Sequence, residues 1–139
     1  MDYVDAVEIA ELLNKHGHMQ KTRSASDVQD EDFIYTRSDG PQDHIVACSK
    51  VKKINWYMAE VTSLAYDPEH PEAAKELIGQ VKSRATGLAA RVVQATVVST
   101  NYGLRRLLET NGFTVADTFH NERTRRNLTL MNCVLVQPQ

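Results

Sequence analysis

Asn101-Tyr102-Gly103-Leu104-Arg105-Arg106-Leu107-Leu108-Glu109-Thr110-Asn111-Gly112-Phe113 is the stretch on which the fold turns. Asn101 is a good N-cap, because its side-chain oxygen accepts from backbone N–H groups that the first helical turn leaves unpaired. Leu104, Leu107 and Leu108 recur at helical spacing and form one apolar stripe. Gly112 supplies the left-handed residue that ends a helix, and Phe113 opens the next element. The pattern predicts an amphipathic helix over 101–111. Its meaning comes from its neighbours.

Immediately upstream, Arg91–Val98 is rich in β-branched residues and short enough to be a central strand. Before it, Pro71 sits where a first helical position belongs, Glu72 suits the positive end of a helix, and Gly87 closes the element. Ala74, Leu77, Ile78, Val81 and Ala85 make its buried stripe. Ile54–Tyr66 is the longest β-like run, stopped by Asp67-Pro68. His44–Lys52 and Phe33–Thr36 are two further strands, separated by the turn Ser38-Asp39-Gly40-Pro41. Val4–Lys15 is a first helix with Ala6, Ile9, Ala10 and Leu13 on one face and Leu12 widening it. Between them His16–Asp32 reads as a loop with a helical turn around Ser26–Glu31, capped by Ser26. Downstream lie a strand at Phe113–Phe119, a basic turn at His120–Arg126, a last strand at Asn127–Val136 and a short tail. The order α, β, β, β, α, β, α, β, β predicts a mixed sheet with helices on both faces.

Composition sets the outer bounds. At 139 residues the expectation is one domain, 1–139. Apolar content of 42% and charged content of 24% are ordinary for a soluble globular protein. A net charge of −2 gives no electrostatic footprint for nucleic acid, which is not expected as a partner. No apolar run spans a bilayer, and the acidic start (Asp2, Asp5, Glu8) is unlike a secretory signal, so no membrane partner and a cytoplasmic setting are expected. Cys48 and Cys133 are isolated in apolar segments and read as small buried hydrophobes rather than a disulfide or metal pair. His16, His18, His44, His70 and His120 show no ligand spacing, so no metal is expected.

The chain resembles the GNAT superfamily of N-acetyltransferases from about Asp5 to Val136. The segment from Val4 to Asn14 is similar to the family's first helix, and Met58–Pro68 to its fourth strand. Asn101…Leu107-Leu108-Glu109…Gly112-Phe113 matches the family's pattern of Asn, Leu-Tyr-Glu and Gly-Phe at nearly every spacing. The resemblance implies a GNAT-like α/β fold: a mixed, largely antiparallel central sheet, helices on both faces, and splayed fourth and fifth strands. It also implies acetyl-CoA as cofactor and an amine, on a small molecule or protein, as acceptor. Leu64, Ala65 and Tyr66 match the family's cofactor-binding backbone, which polarises the thioester carbonyl as an oxyanion hole does, and the resemblance implies the Ala65 and Tyr66 backbone as the oxyanion donor. Asn101 matches a residue whose side chain contacts the cofactor. Glu60 stands where several members place a catalytic carboxylate, as an ammonium must lose a proton before it attacks.

Two departures qualify the match. The family's phosphate loop is glycine-rich, so that backbone N–H groups approach the pyrophosphate. Here the stretch is Glu69-His70-Pro71-Glu72-Ala73-Ala74: it lacks glycine, and Pro71 removes a donor. Ala74 matches the small-residue position, and Lys75 or His70 supplies charge. Leu108 stands where many members have the Tyr that protonates the departing thiolate, although a thiol of pKa ~8.5 leaves tolerably without help. Tyr102 is near in sequence but early in its helix. Arg105, Arg106 and Arg123–Arg126 could equally hold the cofactor's 3′-phosphate, meet an acidic partner or form a solvated surface. The leading expectation is an acetyl-CoA-dependent N-acyltransferase. The alternative is a catalytically inactive GNAT-fold structural or interaction protein with assembly partners, of which short GNAT-like phage virion components are one form. A homodimer is compatible with either.

Overall fold

The computed structural model describes residues 1–17, 22–38 and 43–135. The expectations that fall on His18, Asp39-Gly40-Pro41, Val136 and the tail lie outside them. The elements in chain order are α1 (Tyr3–His16), α2 (Ala25–Gln29), β1 (Ile34–Arg37), β2 (Ile45–Lys53), β3 (Met58–Tyr66), α3 (Pro71–Gly87), β4 (Val92–Val98), α4 (Tyr102–Thr110), β5 (Thr114–Asn121) and β6 (Arg126–Val134). The strands form one six-stranded sheet in the order β1-β2-β3-β4-β6-β5. β3 and β4 run parallel, while β1–β2, β4–β6 and β5–β6 are antiparallel. This is the mixed, largely antiparallel sheet expected of the sequence.

By contacts the chain divides into two compact units. One comprises Met1–Lys50 with Ser63–Val81, and the other Val51–Thr62 with Lys82–Gln139. In the first, Asp2 caps α1 by accepting from the N–H of Val4 and Asp5. The α1 face Ala6, Ile9, Ala10, Leu12 and Leu13 is buried with Val28, Phe33, Ile45, Cys48 and Ala65. Arg37 pairs with Asp5, which also accepts from Tyr35 Oη at 3.1 Å, so β1 is tied to α1. Thr36 Oγ1 donates to the Ala73 carbonyl at 3.1 Å and satisfies a buried hydroxyl. Of the α3 stripe, Ala74, Leu77, Ile78 and Val81 are all fully or almost fully buried.

In the second unit, Asn101 Oδ1 accepts from the Leu104 N–H at 3.2 Å, and Gly112 has φ +94°. Of the predicted stripe Leu104 and Leu108 are buried and Leu107 is half-buried, and Phe113 beyond the helix is buried. Leu108 is fully buried and is a packing residue of α4. Among the described residues β5 pairs only with β6, and seven of its eight residues are exposed, which makes it an edge strand.

The structure corrects two local readings. Ile54–Tyr57 is not strand: Asn55 Oδ1 accepts from the N–H of Tyr57 (3.0 Å) and Met58 (2.9 Å), and Ile54 N–H donates to Met58 O (2.9 Å). Aromatic and β-branched composition there mimics a strand, but the Asn side chain substitutes for a ladder partner and makes a turn. The helical turn near Ser26 is capped by Ser24, whose Oγ accepts from Asp27 N–H at 3.2 Å.

Burial separates two aromatic residues that composition treats alike. Phe113 is 2% exposed, and Phe113→Ala should cost about 3–5 kcal/mol in urea unfolding. Trp56 is 74% exposed and Trp56→Ala should move the midpoint little, within about 0.5 kcal/mol.

Candidate functional site

Ser63 organises the third strand. It sits mid-strand with φ +52°, the left-handed region, without being glycine. The parallel ladder runs from Met58 opposite Val92 to Val61 opposite Ala95. β3 continues to Tyr66 after Ser63, and β4 continues to Val98 paired with β6. A residue of this geometry in a strand re-aims the residues after it, as a bulge does. No sequence signal announced it, since serine carries none of the bias of glycine or asparagine.

The re-aimed residues are Leu64, Ala65 and Tyr66. Strand N–H groups alternate between the two edges. Asp67 N–H donates to Val46 O on β2 at 2.8 Å, and a backbone hydrogen bond joins Ala65 to the Cys48 thiol on the same strand. Alternation therefore turns Leu64 and Tyr66 to the edge opposite β2, past the last β4 partner. Ala65, 1% exposed, packs in the α1 core, and its backbone hydrogen bond to the Cys48 thiol turns its N–H to β2. Tyr66 is half-buried, and desolvation raises its phenol above the ordinary value, which keeps it neutral.

The segment 69–74 leads into α3, and four of its five N–H donors are already engaged. Glu69 N–H donates to Asp67 Oδ1 (3.0 Å) and His70 N–H to Asp67 O (2.9 Å). Ala73 and Ala74 N–H both donate to His70 O (3.1 and 3.3 Å). Pro71 has no N–H, which leaves Glu72 as the free backbone donor of the stretch among the described residues. Ala74 is buried and Lys75 exposed.

Glu60 and Asn101 belong to the second unit. Glu60 is half-buried on β3 opposite Gln94 of β4. Asn101 uses its amide oxygen as the α4 cap. Tyr102 is 70% exposed. Arg105 Nη1 donates to Ser99 O at 3.1 Å, so this guanidinium buttresses the turn before α4. Cys48 and Cys133 are both buried free thiols, as their settings suggested.

No protein-family profile and no curated protein sequence matches the chain. Solved structures do. Ard1 of Thermoplasma volcanium superposes with a TM-score of 0.78 at 14% identity, covering 99% of this chain and 95% of that one. The Salmonella typhimurium protein yncA, solved with its cofactor acetyl-CoA, gives 0.77 at 16% identity over 100% and 93%. A GNAT family acetyltransferase of Elizabethkingia anophelis with acetyl-CoA bound gives 0.61 at 14% identity over 69% and 72%. At these identities the comparisons establish the fold, which is that of the GNAT acetyltransferases.

This geometry has two measurable consequences. A β-branched residue cannot take the Ser63 conformation cheaply, so Ser63→Val should lower stability by about 1–2 kcal/mol in chemical denaturation. Burial pushes the Cys48 thiol up to about 12 against a lowering backbone hydrogen bond from Ala65. In the unfolded chain that thiol ionises near 8.5. Stability is therefore unaffected by this group at lower pH and falls as pH rises toward 12. Cys48→Ala should flatten that fall, and at pH ~8 native Cys48 should resist a thiol reagent that labels it on unfolding.

Proposed function

We propose that the chain is an acyl-CoA-dependent N-acyltransferase, with acetyl-CoA as donor and an amine as acceptor. The observation that carries the reading is the edge beyond Val61, where the Leu64 and Tyr66 N–H groups are turned away from β2 past the end of the parallel ladder. Strand-edge donors of this kind suit the amide-bearing arm of coenzyme A and the oxygen of its acyl group. The bound donor supplies a thioester, an acyl group already activated toward amines.

The chain's own residues do the rest. Leu64 and Tyr66 N–H donate toward negative charge developing on the acyl oxygen, and one such fixed donor is worth ~3 kcal/mol. Glu60 accepts the acceptor's proton, directly or through one water. Asn101 holds the start of α4 in shape and presents its amide to the cofactor. Ala65 contributes the packing beneath the strand, and its backbone is the weakest donor candidate of the three. Ala74 and Lys75 supply a small residue and a cation at the start of α3. Leu108 leaves the departing thiolate without a Tyr at that position, tolerable for a thiol of pKa ~8.5.

The strand-edge donors support the acyl end of this reading, and the segment before and into α3 speaks against its pyrophosphate end. Four donors of residues 69–74 are already engaged, and Glu69 and Glu72 put two carboxylates in the segment. That observation favours a second reading, a GNAT-fold protein that no longer transfers acyl groups and acts through assembly with other proteins.

A calorimetric titration with acetyl-CoA separates the two. The enzyme reading expects saturable binding, acetylation of a panel of amines, and a Glu60→Gln variant that binds acetyl-CoA normally but turns over roughly 10²–10⁴-fold more slowly. Absence of binding at millimolar cofactor would remove the enzyme reading and leave the assembly one.

A further inference from the structure

We propose that His44, Asp67 and His70 form a binding site for a divalent transition-metal ion of the Zn²⁺ type. Their positions in the sequence show no ligand spacing, but the first unit brings one donor atom of each within 4.8 Å of the other two. Among the described residues no other three such side chains converge.

The main chain fixes the arrangement. Asp67 N–H is bound to Val46 O, so Asp67 lies beside the start of β2, where His44 immediately precedes Ile45. His70 N–H bound to Asp67 O closes the turn that sets His70 beside Asp67. The two imidazoles meet edge to face, with centroids 5.9 Å apart at 86°. Asp67 Oδ1 accepts from Glu69 N–H, which orients the carboxylate.

Both histidines have outer partners on Nδ1. His44 Nδ1 is 3.2 Å from Ser38 Oγ, which is itself 3.4 Å from the His44 carbonyl. The tautomer that carries its proton on Nδ1, donating to Ser38 Oγ, would place the His44 lone pair on Nε2. His70 Nδ1 is 3.5 Å from Glu72 Oε1. An imidazole whose second nitrogen is held by a carboxylate or hydroxyl is the usual form of a metal-ligating histidine.

Two imidazoles and one carboxylate suit Zn²⁺ and its first-row neighbours, whereas Mg²⁺ and Ca²⁺ take oxygen ligands. Tetrahedral Zn²⁺ with bonds near 2.0–2.1 Å holds its donors about 3.3 Å apart, so side-chain rotation of roughly an ångström completes the site. Three protein ligands leave a fourth position. An adjoining pocket of about 350 Å³ is lined by Glu8, Glu11, Lys15, His16, His44 and Asp67, a lining in which acids outnumber the lysine. A bound ion would clamp the residue before β2 to the turn before α3. This inference stands whether or not the chain transfers acyl groups.

Purified full-length protein, stripped with a chelator, would be titrated with Co²⁺ by visible absorption and with Zn²⁺ by calorimetry. The expected result is saturable uptake of one ion per chain, with intense tetrahedral ligand-field bands and a Zn²⁺-dependent rise in melting temperature. His44→Gln and His70→Gln should each weaken binding at least about 10-fold, while His120→Gln, on β5, should leave it unchanged. Circular dichroism in chelator checks that the variants fold. Asp67→Asn, which retains an acceptor for Glu69 N–H, decides the matter if a glutamine variant does not. Lack of saturable uptake, or undiminished binding by folded His44→Gln or His70→Gln, would overturn the proposal.

Discussion

The structure depends on a short parallel ladder. Met58–Val61 pairs with Val92–Ala95, and Arg91 and Val92 N–H both donate to Tyr57 O at its start, at 2.6 and 3.1 Å. Parallel neighbours cannot be joined by a tight turn, so the chain must leave the sheet and return through a crossover. α3 is that crossover, which is why a strong apolar stripe and a proline start stand between two β-rich runs. β4 then occupies an interior place in the strand order, and β6 rather than β5 takes its other edge. α4 and β5 are inserted between partners that must meet.

The ladder also explains why its end is chemically interesting. Interior strands normally engage every main-chain group on both edges. Ser63 adopts a conformation that a sheet residue avoids, and the β4 pairing has ended two residues before it. Backbone strain of about 1–2 kcal/mol is retained where the surrounding packing over-determines it, and such positions cluster at binding sites. At Ser63 that packing is provided by Ala65 in the α1 core and by the Cys48 sulfur, 4.0 Å from the Ser63 carbonyl.

Legibility in the sequence followed the range of the interaction. The Asn101 cap, the α4 leucines and the α3 stripe are local patterns, and they could be read residue by residue. The Asn55 turn was local too, but Trp56 and Tyr57 outweighed it in composition, although a solvent-facing turn accommodates aromatics as readily as a strand. Ser24 and Ser26 are equivalent capping residues two positions apart, and only the bond to Asp27 distinguishes them. The left-handed backbone at Ser63, the placing of β6 between β4 and β5, and the meeting of His44 with Asp67 and His70 depend on pairings distant in sequence. The glycine-free loop was legible as a departure, but the engagement of its N–H groups by Asp67 and His70 was not, because it rests on a turn whose closure needs coordinates.

The edge strand β5 has a consequence beyond its place in the sheet. An exposed strand with Val115 and Phe119 on its surface offers an outer row of main-chain groups to any other extended chain. Its register against β6 shifts between Val115 and Asp117, so the row is broken near its beginning. Past that shift the regular run is Asp117–Asn121, where an incoming strand would meet the carboxylate of Asp117 and the imidazole of His120. The irregularity that disturbs one ladder inside the molecule thus protects it against templated growth from outside.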